Sequence, residues 1–406
     1  MTRIKFHYSW VICFSCMIFM FCGSGMIMNA FSVYMPYLRE AYGLTDTQTS
    51  YIPMIRSGFS ILFKFCVIWL IHKLGIKKTM ALGTVFLALA FVCYSVGGSA
   101  IFVYVAAALS GVGYGLCTMV PISILLNHWF NEKLSFAVAI SAASTGVASM
   151  ILPTIITYVA ENYSLALAFR GEAVLLLAAC LPSVLLIKAT PEEVGLQPYG
   201  VKNETATVID DSKAFLTGFS KHIFHIVPFL LGAVCTTVTS LFSLHFTGQG
   251  YTSEQAALSI SVFGFTLLIG KFAYGIFQEK IGSMGTDILF MGLNLLASAA
   301  GCLVSMSSVF MYICTIFFGL GGAMTSVGIT MWARSFSSPQ QYDKTIRMYQ
   351  VCFMLGNVVM SPITGSLADY TGSYTISFFL FGVITAIMLI IILYSYHIIK
   401  EQSTAA

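Results

Sequence analysis

Leu267-Leu-Ile-Gly-Lys271-Phe272-Ala-Tyr-Gly275-Ile-Phe-Gln-Glu279-Lys280-Ile-Gly282 sets a lysine inside an apolar run and closes on a charged turn ending in glycine. Ser60-Ile-Leu-Phe-Lys64-Phe65-Cys-Val-Ile-Trp-Leu-Ile-His72-Lys73-Leu-Gly75 does the same in the first half of the chain. Lys64 stands 11 residues before Gly75, and Lys271 stands 11 before Gly282. A charge in hydrocarbon is costly and by default marks a functional position. Placed twice by an internal repeat, it implies a membrane protein built from two related halves, the construction of many transporters.

The composition agrees. The chain is 58% hydrophobic and 9% charged over 406 residues, with a mean hydropathy of +0.87. That is too little charge to cover a soluble surface. Apolar runs near the twenty residues needed to cross a bilayer recur at 10–35, 47–71, 78–98, 101–127, 134–160, 166–187, 223–247, 253–279, 284–306, 308–333, 345–369 and 374–398. Backbone amides in hydrocarbon must be satisfied internally, so these twelve runs are expected to be helices. The alternation of a membrane barrel is absent. The expected fold is an all-α integral membrane protein with twelve transmembrane helices in two six-helix bundles.

Arg3 and Lys5 precede an apolar run that continues to about Tyr34, too long for a cleaved secretory signal and read as an uncleaved first span. The eleven cysteines all fall inside expected helices and suit packing rather than a disulfide framework or a zinc site. Basic residues set the orientation. With the N-terminus inside, fourteen (Arg3, Lys5, Lys73, Lys77, Lys78, Lys133, Lys188, Lys202, Lys213, Lys221, Lys280, Arg334, Lys344 and Lys400) fall on the cytoplasmic side. Arg39 and Arg170 alone fall outside. Both termini are therefore expected in the cytoplasm of a multi-pass protein of the cell membrane, plasma or bacterial inner. The net charge of +4 records topology, not nucleic-acid binding.

One segment, 188–221, is polar for long enough to be a linker, with a flexible stretch at Asn203-Glu-Thr-Ala-Thr. It divides an N-terminal bundle, 1–187, from a C-terminal bundle, 222–406. Other repeat-related features keep nearly the same spacing as the lysines, whose step is 207. Gly111-Val-Gly113-Tyr-Gly115 and Gly319-Leu-Gly321-Gly322 are 208 apart, and Pro153 and Pro362 are 209 apart.

These residues resemble the major facilitator superfamily along essentially the whole chain. Gly275-Ile-Phe-Gln-Glu279-Lys280-Ile-Gly282 is similar to its G-x-x-x-[DE]-[RK]-x-G loop. The first-half counterpart keeps Lys73 and Gly75 but has Ile68 for the first glycine and His72 for the acid. The resemblance implies that Lys73, Gly75, Gly275, Glu279, Lys280 and Gly282 steady one end state, a latch whose first copy lacks its acid. It also implies a cavity lined mainly by spans 1, 4, 7 and 10, with 2, 5, 8 and 11 at the seam. A narrower resemblance, to oxalate/formate antiporters and monocarboxylate transporters, rests on several stretches in order. These are Asn29-Ala-Phe-Ser-Val-Tyr34-Met-Pro36, Gly111 through Pro121 to Trp129-Phe130 and Lys133, and Thr190-Pro191-Glu-Glu193-Val-Gly195-Leu-Gln-Pro198. Ser361-Pro362, Gly365 and Asp369-Tyr-Thr-Gly372-Ser-Tyr374 complete the set.

Four cations fall within spans: Arg56, Lys64, Lys271 and Arg347. The sixteen acids fall in loops or within a turn or two of helix ends. A buried cation needs a partner, and an anionic substrate drawn into a positive cavity would supply one. The resemblance gives that role to Lys271 alone; Lys64 is expected to balance it from the other half, Arg56 is a further candidate cation, and Asn29, Tyr34 and His245 are expected to shape the cavity. Lys64 and Lys271 lie about two turns from helix ends, so snorkelling toward the headgroups is the alternative. Arg347 reads as an interface or gate residue. Lysine in place of arginine at 271, and no cation from Val351 to Met360, favour a monocarboxylate over a planar dicarboxylate.

Gly264 to Phe272 glances at a phosphate-binding loop but has one residue too many between its glycines and no preceding strand. Cys13-x-x-Cys16 lacks companions for a metal. The expectation is a monomeric transporter of small organic anions by alternating access, by exchange or uniport, with no cofactor, metal or nucleic-acid partner. Proton-coupled monocarboxylate symport is the second reading, with His245 a candidate carrier; protons or a counter-anion would couple the movement. A membrane sensor or receptor would need a signalling domain, and an enzyme a deep catalytic cluster. Neither is present in the sequence.

Overall fold

A computed structural model describes residues 7–200, 223–338 and 341–405. Among these, eleven helices are long and apolar enough to cross a bilayer. One of them, Ser253–Cys302, holds two spans, because Gly282 interrupts it at φ 75° and ψ 172°, a conformation essentially confined to glycine. The spans are α1 (Ser9–Tyr42), α2 (Asp46–Leu74), α3 (Ile76–Val96), α4 (Ala100–Trp129), α5 (Leu134–Asn162), α6 (Leu165–Leu186), α7 (Ile226–Gly248), α8 (253–281), α9 (283–302), α10 (308–336), α11 (Tyr342–Thr371) and α12 (Thr375–Ala405). The twelve expected helices are all there. α1 runs about two turns past its expected end, since its stop is Gly43 at φ 59° and not the loss of hydropathy.

The repeat is visible in the caps and in the defects. Thr45 opens α2 with a capping box to Gln48, and Thr252 opens α8 with the same box to Gln255. The step from Thr45 to Thr252 is 207, that of the lysines. α1 is π-helical over Phe21–Asn29, and α7 over Gly232–Thr236. α4 breaks at Thr118 (φ −105°, ψ −128°) and α10 at Ser326 (φ −121°, ψ −58°), positions 208 apart. In α4 the cause is Pro121, which has no N–H to give and crowds the carbonyl one turn back. Non-helical backbone at membrane depth persists where it lines a cavity.

The face where α1 begins and α12 ends is called here the terminal face, and its opposite the far face. The halves meet along two seams, α2 against α11 and α5 against α8. At the far face the Asp369 carboxylate accepts from the backbone N–H groups of Asp46 and Thr47 at 2.7 and 2.9 Å. Tyr374 donates to Asp46 Oδ1 at 3.1 Å, where Arg39 forms an ion pair. Deeper in the same seam Asn357 Nδ2 donates to Ser57 Oγ at 2.6 Å. In the other seam the Thr154 and Ser261 hydroxyls are 3.1 Å apart.

The first part of the expected linker is not free. Tyr199 pairs with the α4–α5 turn, its N–H donating to Trp129 O at 2.9 Å and its carbonyl accepting from Asn131 at 3.0 Å. Trp129 Nε1 donates to Lys188 O, and the Tyr199 ring packs on Trp10 and Phe130. Residues 188–200 are therefore clasped to the first bundle. The flexible stretch expected at Asn203, like Arg3, Lys5 and most of the linker, lies outside the described residues.

Candidate central anion site

Between the halves lies a cavity of about 100 Å³. α1, α4, α5, α7, α8, α10 and α11 all reach it. The irregular segments converge here: Ser24, Met28 and Asn29 come from the π-helical part of α1, Cys235 and Thr236 from that of α7, and Met119 and Ser326 from the breaks in α4 and α10. The inner pieces of α4 and α10, Met119–Trp129 and Val327–Phe336, both begin at the cavity and run toward the terminal face. A helix N-terminus carries partial positive charge, so both dipoles favour an anion in this space.

Among the described residues, one that lines the cavity is charged, Lys271. Its Nζ donates across the seam to Ala142 O at 2.8 Å and to Thr145 Oγ1 at 2.9 Å, both on α5. The rest of the polar lining is neutral, including Asn29, Tyr114, Thr236, Thr239 and Gln350, and no carboxylate lines the cavity among the described residues. Its two acceptors are neutral, so an anion in this space would supply the counter-charge that a buried ammonium needs.

The other expected residues divide. Asn29 lines the same cavity as Lys271. Lys64 does not reach the other half as Lys271 does; its Nζ sits 5.1 Å from the centre of the Tyr114 ring, on its own half's α4, and Tyr114 lines the cavity. Arg56, 1% exposed, lies behind the π-helical stretch of α1, donating to Ile27 O with its guanidinium 5.3 Å above Phe31. Tyr34 is buried away from the lining, stacked on Phe169 at 4.1 Å. His245 lies outside the lining too, stacked on Phe378 with Nε2 2.9 Å from Gly301 O. At the terminal face Gly75 and Gly282 hold positive φ at two repeat-equivalent turns. Lys73 rests over Trp69, and Glu279 and Lys280 are exposed. A Cβ on Gly275 would meet nothing within 4 Å. Arg347 is exposed in the first turns of α11.

Two acids depart from expectation. Though near helix ends, Glu172 and Asp287 are 5% and 0% exposed, because neighbouring helices cover them. Asp287 accepts from Tyr274, Trp332 and Tyr396 at 2.6, 2.8 and 2.9 Å, tying α8, α10 and α12 to α9. Glu172 lies beside the buried Tyr34 hydroxyl inside the first bundle. Nothing in the sequence marks Thr145, Thr236, Thr239 or Gln350 as lining residues, whereas Pro121 is a signal that could have located the break in α4.

The profile of the Major Facilitator Superfamily matches residues 16–286 and 224–405. Among curated proteins, rat (Rattus norvegicus) monocarboxylate transporter 13 is 25% identical over 321 residues, covering 76% of this chain and 71% of that protein. Monocarboxylate transporter 4 of the same species is 23% identical over 388 residues, covering 92% and 80%. Among solved structures, the nucleoside transporter NupG superposes with a TM-score of 0.73 at 11% identity, covering 96% of this chain and 99% of that one. A D-xylose-proton symporter gives 0.70 at 14%, covering 95% and 97%. At such identities the structures speak for the fold alone.

Proposed function

The chain belongs to the Major Facilitator Superfamily, and on that premise we propose that it carries small monocarboxylate anions across a cell membrane, with Lys271 holding the carboxylate. It is a multi-pass membrane transporter and not an enzyme. The observation that carries the reading is the single ammonium on an otherwise uncharged cavity lining. The monocarboxylate transporters similar to it over most of their length support the substrate class, and a cavity of about 100 Å³ suits a small ion. The bundles 1–187 and 222–406 rock about this cavity, and Asn29 and Tyr114 border the bound anion. With both termini cytoplasmic, the far face is the outside, and its latch at Asp369 marks the state closed to the outside.

The test is uptake of labelled mono- and dicarboxylates into proteoliposomes holding the purified full chain. Monocarboxylates enter, and Lys271→Gln abolishes their entry while the protein remains monodisperse. Normal uptake by that variant overturns the assignment.

Proton-coupled symport is the second reading, and one observation favours it: the Glu172 carboxyl buried beside the Tyr34 hydroxyl inside the first bundle. Uptake that follows an imposed pH gradient and loses that dependence in Glu172→Gln supports it. Uptake indifferent to the gradient leaves exchange or uniport.

A further inference from the structure

Gly146 and Gly264 let α5 and α8 cross closely beside the cavity. A Cβ on Gly264 would lie 2.4 Å from Met150 N, and one on Gly146 would lie 2.9 Å from Gly264 O. Two turns further along α8, Lys271 reaches over this crossing to Ala142 O and Thr145 Oγ1. The Thr145 hydroxyl itself donates to Ala142 O at 2.9 Å. This back-bond to the carbonyl three residues earlier fixes the threonine rotamer and holds its oxygen lone pairs ready for an incoming N–H. Three atoms of two half-molecules thus close a small hydrogen-bonded triangle at the cavity wall, and Thr145 lines that wall with Lys271.

Both acceptors on α5 are neutral. An ammonium has three N–H donors and no acceptor, and a carboxylate bonds it more strongly than a carbonyl or hydroxyl does. Two of the three N–H groups are engaged on α5; an anion can take the third in place, and a carboxylate that takes two of them competes with α5 for the pair it holds.

We propose that Thr145 is a positioning residue for transport: with the Ala142 carbonyl it parks Lys271 on α5 in the empty carrier, and a carboxylate that takes two of the N–H groups draws the ammonium away. The proposal rests on the reading that Lys271 holds the carboxylate. Its consequence is a direct link between occupancy and the seam. The empty carrier has a bridge from α8 to α5, and the loaded carrier has exchanged that bridge for a bond to its cargo. A ligand shifts a conformational equilibrium only through contacts that differ between states, and this exchange supplies such a difference. The hydroxyl is a competitor of the substrate, not a ligand to it.

The sign of the effect on affinity follows. Removing the hydroxyl weakens the parked state and leaves the loaded one unchanged, so the anion binds more tightly. In proteoliposomes, Thr145→Val lowers the half-saturating concentration of a labelled monocarboxylate by about tenfold or more, the scale of one hydrogen bond to a charged group. Thr145→Ser restores the wild-type value, and Thr145→Ala repeats the effect if valine does not fold. In detergent, the unfolding midpoint of the empty Thr145→Val carrier falls, and its rise on adding the anion exceeds that of wild type. A half-saturating concentration that is unchanged or higher in a monodisperse Thr145→Val protein overturns the parking role, leaving the Lys271 assignment in place. Normal uptake by Lys271→Gln overturns the assignment itself and the parking role with it.

Discussion

Asp369, in the last turn of α11, seats its carboxylate on the backbone amide of Asp46, the first residue of α2, at 2.7 Å. A helix N-terminus in one half is thus capped by an acid from the other, and the same carboxylate also takes the amide of Thr47. Such charge-assisted bonds hold the far face shut only while the halves are together.

Asp369→Ala should release this latch. Losing hydrogen bonds to a charged group, at about 1.5–3 kcal/mol, moves the ratio of closed to open far face by about tenfold or more. Spin labels at Ala41 and at Tyr370, the latter 91% exposed, would report a longer distance in the variant. An unchanged distance distribution would show that the seam closes without the acid.

The paired lysines should behave differently. Lys64 lies against the Tyr114 ring and bonds no acceptor of the other half, an interaction of about 0.5–1 kcal/mol. Lys64→Gln is expected to keep uptake within about threefold of wild type, where Lys271→Gln loses it. Equal loss in both variants would put Lys64 in the anion site.

Gly264 and Gly275 stand seven residues before and four after Lys271, but their surroundings differ. Gly264→Ala drives a Cβ against the α5 backbone and should separate the crossing that carries Lys271 to Thr145, cutting uptake severalfold or more. Gly275→Ala enters open space and should be silent. Transport rates of the two variants at matched expression decide this, and a silent Gly264→Ala would refute the crossing.

Asp287 binds three neutral donors from three helices in a dry site. Asp287→Ala strands those three donors and should cost about 3 kcal/mol or more, since each buried unsatisfied group costs about 1–3. Thermal unfolding in detergent reads this directly. Asp287→Asn, which keeps acceptor capacity at one oxygen, should fall between. A midpoint equal to wild type would mean that water reaches the donors.

Much of this was legible beforehand because hydrocarbon imposes local rules. Helix after helix could be counted from apolar length, and Lys271 stood out as a charge where charge is costly. Asn29, too, falls on the lining. Burial was harder to read. Glu172 and Asp287 lie near helix ends, and only the packing of α1, α8, α10 and α12 around them takes them from water. Arg56, Tyr34 and His245 have the chemistry of a binding site, but each is satisfied or covered within its own half. The neutral lining residues carry no mark in the sequence, since a threonine on a cavity and a threonine bonded to its own helix look alike. Thr145 is both. The break at Ser326 has no proline to announce it and is recognisable only beside its counterpart at Thr118.

The clasp of Tyr199 onto Trp129 and Asn131 has a practical consequence for dividing the protein. A gene split at the polar boundary before Lys188 would strip the first fragment of an aromatic plug at its base and leave Trp10 and Phe130 bare to water. A split placed after Gly200 keeps that plug with the fragment it seals. Co-expression of the two pieces cut at the later point should reconstitute a working carrier more fully than the earlier cut, and the more robust first fragment is the one that ends beyond Tyr199.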